Sequence, residues 1–389
     1  LLHLKKLSYL KNRLHILFIN SWYPSKVLPV NGDFIQRHAE AVALKHKVTA
    51  IHIITDPNCK RSFKIEKKEI NGINTIIGYI KQTQNPIIKG YLFLRAYKNI
   101  LNEIGHIDHV HLNVLYPLGI FALHLKWFRK KPFIISEHWT DYQYPLSKNI
   151  KLKERYISKL ITKNAAFVCP VSKHLQNAMQ DFGLDGNYYP VPNVVDTNLF
   201  IPSSSKPSKF KILHISSMND DQKNISGIID VISLLQHKIS DFKFTFIGSN
   251  SIKYKRKINE LSINQDIITF IDHINQKELV NYLQEATVFV LFSNYENLPC
   301  VILESFSTGT PIISTNVGGI SECFPQGFGT LIPAKNQERL LLELISFYNQ
   351  KKQIESSEKM HKYVVNNFSK EKICDTFTKL YTKVLIEKE

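Results

Sequence analysis

No apolar run in this chain of 389 residues approaches the about 18 residues that a membrane-crossing helix needs. The five cysteines (Cys59, Cys169, Cys300, Cys323 and Cys374) are odd in number, far apart and without a CxxC pair. That spacing argues against zinc and against a disulfide framework, and points to a reducing, cytoplasmic compartment. GxGxxG is missing, so the dinucleotide fingerprint fails. No DxD pair offers two carboxylates to a divalent cation, and His106, His109 and His111 lack a cysteine or paired carboxylate beside them, so neither a metal nor another cofactor is expected. The opening segment LLHLKKLSYLKNRLHILFIN is interrupted by Lys5, Lys6, Lys11 and Arg13 and has no small-residue cleavage site; a secretory signal is not expected there.

Acidic residues are scarce in one half only. Residues 1–200 hold 28 Lys and Arg against 13 Asp and Glu, a balance of +15, whereas residues 201–389 hold 22 against 20, a balance of +2. One domain is therefore expected to face an anionic partner, such as the inner face of a membrane. Nucleic acid is not expected, because no RNP, zinc-finger or helix-turn-helix pattern accompanies the charge. Two segments localise the excess. In KNIKLKERYISKLITKN, Lys148, Lys151, Arg155, Lys159 and Lys163 recur at helical steps beside Ile150, Ile157, Leu160 and Ile161; in IIKGYLFLRAYKNIL, Lys89, Arg95 and Lys98 mix with Tyr91, Phe93 and Tyr97. Both suit a lipid interface, and a solvated helix packed by its apolar face accounts for them equally.

With 43% hydrophobic and 21% charged residues the chain has a globular composition, and its length favours two domains. Strand-like runs alternate with helical patterns: LHILFIN, then the loop WYPSKVLPVNGD with Gly32 near the start of the helical FIQRHAEAVALKHK, then VTAIHII, HVHLN, PFIIS and AFVCPVS. NLFIPSSSKPSKF reads as a linker. A second alternation follows from KILHISS to PIIST, and the last 40 or so residues read as polar amphipathic helix. The expected fold is α/β, two doubly wound Rossmann-like domains facing each other across a cleft: residues 1–200, which are basic, and residues 201–370, with a helix at 371–389 packing back on the first.

Within SNYENLPCVILESFSTGTPIISTNVGGISE, from Ser293 to Glu322, the run VFVLF just upstream reads as a buried parallel strand. Pro299 suits a first helical turn, and the helix is expected to reach Gly309. Strand, loop and helix start in succession would turn the positive end of the helix dipole and the N–H groups from Asn297 to Val301 toward a phosphorylated ligand. Glu304, further along, suits paired sugar hydroxyls. Gly318 and Gly319 permit a close backbone approach or an ordinary turn.

These residues carry a resemblance. The chain is similar over nearly its whole length to the GT-B-fold, retaining glycosyltransferases of family 4, the glycosyl transferases group 1. The family's E-x7-E is matched by Glu296 and Glu304 within ENLPxVxLES, followed by GxPIIxTxVGGIxE. Lys223 in SSMNDDQKNISG matches its phosphate-binding lysine, VPNVVDTNLF its segment before the linker, Gly32 its diphosphate-loop glycine, His111 the histidine of its D-x-x-H strand begun by Asp108, Pro117 and Gly119 its P-x-G, and His138 in SEHWTDY its active-site histidine. The sequence departs from the family at Ser216-Ser217-Met218, where a Gly-Arg pair is common, and at Asn193-Val194-Val195-Asp196 in place of Asn-Gly-Val-Asp.

The resemblance implies metal-independent transfer of a hexose or related sugar, with retention, from a nucleotide-diphosphate sugar to a glycan or lipid-linked acceptor in cell-surface polysaccharide or lipopolysaccharide assembly. It implies catalytic roles for His138, Lys223 and Glu296, and donor contacts from Gly32, Ser217, Lys223, Asn297, Leu298, Pro299, Cys300 and Glu304. It also implies that residues 1–200 are the acceptor-side domain and 201–370 the donor domain, with Asp33, His111, Asn113 and Tyr116 as acceptor-side candidates. An inactive sugar-nucleotide-binding scaffold remains an alternative, since fold alone does not fix function. A retaining glycoside hydrolase fits less well: it needs carboxyls about 5–5.5 Å apart, whereas eight helical residues rise about 12 Å.

Overall fold

The computed structural model describes residues 13–203, 209–249 and 251–388. They form two compact units. The first runs to Val194 and takes in the helix that starts at Lys370; the second is Val195–Ser369.

In the first unit, β1 (His15–Asn20), α1 (Asp33–Ala43) and β2 (Lys47–Asp56) open the chain, followed by a hairpin of β3 (Phe63–Ile70) and β4 (Ile73–Lys81). Then come α2 (Pro86–Glu103), β5 (His109–Asn113), α3 (Gly119–Arg129), β6 (Phe133–Glu137), α4 (Leu152–Asn164), β7 (Phe167–Pro170) and α5 (Lys173–Asp181). The sheet order is β3-β4-β2-β1-β5-β6-β7, parallel except for β3. Every residue of β1 is buried except the first, His15, which is half-buried, as a strand covered on both faces requires. The apolar pattern does not announce the hairpin, because FKIEKKEI is mostly charged; Asn71 and Gly72, both at positive φ (51° and 77°), are its two-residue turn and its sequence signal.

The second unit contains β8 (Phe210–Ile215), α6 (Asp220–Lys223), α7 (Ile225–Leu235), β9 (Phe242–Ile247), α8 (Lys255–Glu260), β10 (Ile268–Ile271), α9 (Gln276–Glu285), β11 (Val288–Leu291), α10 (Cys300–Ser307), β12 (Ile312–Thr315), β13 (Gly329–Ile332), α11 (Gln337–Tyr348) and α12 (Ser357–Phe368). Its all-parallel sheet runs β10-β9-β8-β11-β12-β13, the doubly wound order 3-2-1-4-5-6. Its core gathers Ile228, Ile232, Phe244, Phe246, Val290 and Phe292.

Several expected boundaries move. Asp196–Phe200 belongs to the second unit rather than the first: Phe200 is fully buried, its carbonyl accepts from Ser307 Oγ at 2.6 Å, and Val195 N–H donates to Phe368 O at 2.9 Å. Residues 204–208 of the expected linker, like the first 12 residues, lie outside those described. The terminal helical stretch is two helices, broken at Ser369, which is extended (φ −66°, ψ 161°).

The second of them, α13 (Lys370–Lys388), packs on α1 in the first unit. Phe377 and Tyr381 enter the core beside Phe18 and Ile35, and Tyr381 OH lies 2.6 Å from His111 Nδ1. His38, His52 and His214 are buried, and burial pushes their imidazoles down to about 4.

Phe377 has no exposed surface, so Phe377→Ala should cost about 3–5 kcal/mol of first-unit stability, read from urea unfolding. The histidines set a pH dependence. Each stays neutral in the fold between pH 6.5 and about 4 while the unfolded chain protonates, so stability present above pH 6.5 falls by about 1.4 kcal/mol per pH unit per histidine below it. A urea midpoint that stays level from pH 7 to pH 5 would contradict this.

Candidate active site

The second sheet reverses direction of growth between β8 and β11, whose registers are Val288 with Ile212 and Phe289 with Leu213. Loops leaving neighbouring strands at such a point diverge, and the crevice beyond their carboxyl ends is where doubly wound sheets hold ligands. The loop after β8 ends in α6, a single turn whose Asn219 side chain accepts from Asp221 N–H at 3.1 Å. Asn224, at φ 51°, ends that turn and caps α7 by accepting from Gly227 N–H at 3.2 Å. Lys223 is thereby aimed at the loop after β11.

There it meets Glu296. The Lys223 ammonium donates to Glu296 Oε1, and the two side chains are only 12% and 5% exposed. Ser293 Oγ donates to the same oxygen at 2.7 Å, and Gln222 Nε2 to Oε2 at 3.3 Å. Asn294 N–H donates to Gln222 O at 2.7 Å, which fastens the two loops together. A buried carboxylate with a cation and two neutral donors is satisfied; losing the cation alone would strand it.

Glu296 is thus in a loop and Glu304 is inside α10, buried. Pro299 is the residue before the helix (φ −68°, ψ 126°) rather than in its first turn. Its missing N–H is harmless there, and the helix stops at Ser307, short of Gly309. Leu298 and Asn297 are buried, Pro299 and Cys300 half-buried, and Ser217 is exposed in the loop after β8. Gly318 (φ 60°) is explained by crowding: a Cβ there would lie 1.9 Å from Glu296 O. Gly319 N–H donates to Asn297 O at 2.9 Å. The glycine pair therefore presses on the loop carrying Glu296. Met218, at the place of the missing arginine, is buried in the core at φ 57°, so that position supplies no cation.

In the first unit, Gly32 (φ 74°) precedes α1, and a Cβ there would meet the Trp22 backbone at 2.8 Å. Asp33 accepts from Phe34 N–H at 2.8 Å and pairs with Arg37 at 2.9 Å. His138 is buried against Phe34 (4.6 Å) and His38 (5.3 Å); burial holds its imidazole well below the usual range, against a hydrogen bond with Asn193. Tyr116 is half-buried. Two further acceptor-side candidates, His111 and Asn113, are buried. His111 is sealed, with Nδ1 on Tyr381 OH and Nε2 2.7 Å from Ser136 Oγ, and buried Asn113 donates to Asn20 Oδ1 at 2.9 Å. Both are core groups, as is His109 against Tyr381 at 5.0 Å. Among the described residues no group of three His, Cys, Asp or Glu is placed to hold a metal.

The sequence motifs do not single out Glu137. Fully buried at the end of β6, it accepts from the N–H groups of Leu115, His138 and Trp139 at 2.9, 2.8 and 2.9 Å, while burial raises its carboxyl above the usual range. The signal available was an acid at the end of an apolar strand.

The outer face of α2 exposes Ile87, Ile88, Tyr91 and Leu94 beside Lys89, Arg95 and Lys98. Tyr97 is not part of that face: it is buried, stacked on Phe121 at 3.9 Å. In the other basic segment the helix starts at Leu152, so Lys148 and Lys151 precede it, and Arg155 is engaged with Phe182, donating to its carbonyl at 3.0 Å. No described helix is long and apolar enough to cross a membrane.

Residues 196–367 match the description "Glycosyl transferases group 1", and residues 37–199 "Glycosyltransferase Family 4". An uncharacterized glycosyltransferase of Methanocaldococcus jannaschii is 26% identical over 83% of this chain and 86% of its own. The UDP-Gal:alpha-D-GlcNAc-diphosphoundecaprenol alpha-1,3-galactosyltransferase of Escherichia coli is 24% identical over 76% and 80%. The structure of Anabaena HepE in complex with UDP-glucose superposes with a TM-score of 0.72 at 14% identity, covering 95% of this chain and 100% of that one. With its two Rossmann-like sheets and matches along both units, the chain belongs to the glycosyl transferases group 1, family 4, of GT-B fold.

Proposed function

We propose that this glycosyltransferase moves a hexose or related sugar from a nucleoside diphosphate sugar, with retention and without a metal, to a glycan or lipid-linked acceptor in cell-surface polysaccharide or lipopolysaccharide assembly, as a cytoplasmic protein peripheral on the inner face of the membrane. The observation that carries the reading is the buried Lys223–Glu296 pair at the switch point of the second sheet. Lys223 and the start of α10, from Asn297 to Cys300, receive the diphosphate, with Ser217 and Gly32 as further donor contacts. Glu304 holds the ribose hydroxyls. Glu296 keeps Lys223 in place and meets the sugar, and His138, held neutral by burial, orients its hydroxyls near the anomeric carbon. Among the four acceptor-side candidates, Asp33 and Tyr116 are the partly exposed pair and are the groups assigned to meet the acceptor directly.

The glycosidic C1–O bond breaks with its electron pair going to the diphosphate, and the acceptor oxygen bonds C1 on the same face while its proton passes to the leaving group. Charge grows on the diphosphate in that step. A fixed ammonium and a helix dipole act where the charge develops, without reorganising during the reaction.

UDP is the first probe, since relatives name UDP donors. At about 100 times its dissociation constant it should stabilise the protein by roughly 2.7 kcal/mol. Glu304→Gln should weaken that binding by about 1.5–3 kcal/mol, and Lys223→Met should lower sugar transfer about 100-fold or more. If Glu304→Gln binds UDP, GDP and ADP as the wild type does, the donor assignment fails.

Membrane contact is assigned to the outer face of α2. Sedimentation with vesicles containing anionic lipid should exceed that with neutral vesicles at low salt, and reversing Lys89, Arg95 and Lys98 to Glu should remove the difference, at about 1 kcal/mol per charge. Equal sedimentation with both vesicles would count against the assignment.

A further inference from the structure

Away from the pair in the second unit, the first unit holds a cavity of 770 Å³ between the loop that follows β1 and the turn that follows β2. Four cations line it: Lys26, Lys60, Arg61 and Lys64; the one acid in the lining is Asp56. Asp56 is buried and shapes the turn, accepting from Asn58 N–H at 2.8 Å through its side chain and from Cys59 N–H at 3.1 Å through its carbonyl.

Two of the cations are already answered. The Lys26 ammonium lies 3.2 Å from Asp56, 3.2 Å from Glu66 and 3.9 Å over the Tyr79 ring, and Lys64 lies 2.9 Å from Glu66. Lys60 and Arg61 are exposed at the rim, and among the described residues neither has an acid partner. Two carboxylates therefore balance two lysines, and a lysine and an arginine are left over against a concave wall. That surplus matches a carboxylate or a phosphate, and the guanidinium fork suits either in bidentate fashion.

Placement says which molecule would carry the anion. The cavity adjoins the carboxyl end of β2, beside the central β1, the edge at which doubly wound sheets hold ligands. Its Lys26 is on the same loop as Gly32. The donor's own diphosphate is assigned to Lys223 in the other unit. We propose that the cavity is a subsite for an oxyanion group of the acceptor, a uronate carboxylate or a phosphate, which makes this a transferase for acidic acceptors. The inference rests on the transferase reading above.

Glucose, glucuronic acid and glucose 6-phosphate, which share a ring and differ at one carbon, test it by titration monitored by NMR. The wild type should bind one or both acids at least about tenfold more tightly than glucose at low ionic strength, and added salt should narrow the gap. Preference for glucuronic acid identifies the carboxylate as the source, and preference for glucose 6-phosphate the phosphate. Lys60→Ala/Arg61→Ala should erase the preference. Lys151→Ala/Lys153→Ala, the same charge loss on exposed residues elsewhere, should leave it intact. Equal binding of all three sugars, or a preference that survives Lys60→Ala/Arg61→Ala, overturns the subsite. UDP, GDP and ADP titrated in parallel keep the two readings apart: loss of nucleotide binding in the wild type strikes the transferase reading, whereas unchanged nucleotide binding without acid preference strikes the subsite alone.

Discussion

Parallel pairing of β8 with β11 is the constraint on which the candidate site depends. The two strands are separated in sequence by two other strands, β9 and β10, and their helices, yet their adjacency at Val288 and Ile212 brings the loops after each to the same edge. Lys223 leaves one loop and Glu296 the other, and neither is near the other along the chain. Removing both charges from water is costly, and mutual attraction offsets that cost only when the remaining hydrogen-bonding positions are filled. Ser293 and Gln222 fill two of them at Glu296. The ion pair thus ties loop geometry to sheet topology, and the ammonium is already oriented before any ligand arrives.

The same constraint explains the glycine pair. Backbone passing behind Glu296 comes so close that a methyl group at Gly318 has no room, so the glycines serve the carboxylate through its own main chain. Gly32 follows similar logic against Trp22. In both places a residue type associated with ligand approach is required first by the packing of the protein on itself.

Much of this was legible in the sequence, for physical reasons that also mark where legibility ends. Strands buried on both faces are continuous apolar runs, so LHILFIN, HVHLN and VFVLF announce themselves. An edge hairpin with Lys and Glu along one strand does not, and only Asn71-Gly72 betrays it. Spacing around Pro299 indicated a helix start to within one residue, since proline is tolerated on either side of that boundary. What periodicity cannot register is which side chains become sealed. His111 matches a family pattern, but α13 returns from the far end of the chain to cover the strand that bears it. Contacts between residues 270 positions apart leave no local trace.

Net charge behaves in the same way. The +15 balance of residues 1–200 reads as a basic domain with two basic segments, but in the fold it separates into populations with different neighbours. Lys26 and Lys64 are held by Asp56 and Glu66, and Arg155 is engaged with Phe182. Lys89, Arg95 and Lys98 stand among exposed apolar side chains on α2, a setting that suits a surface both fatty and anionic. Lys60 and Arg61 instead rim a cavity whose one acid, Asp56, is already paired with Lys26, a setting that suits a small anion. Coulomb attraction between unit charges at contact in water is only about 1 kcal/mol, so total charge decides little by itself. The partner each cation can recognise is set by whether its surroundings are convex and apolar or concave and polar.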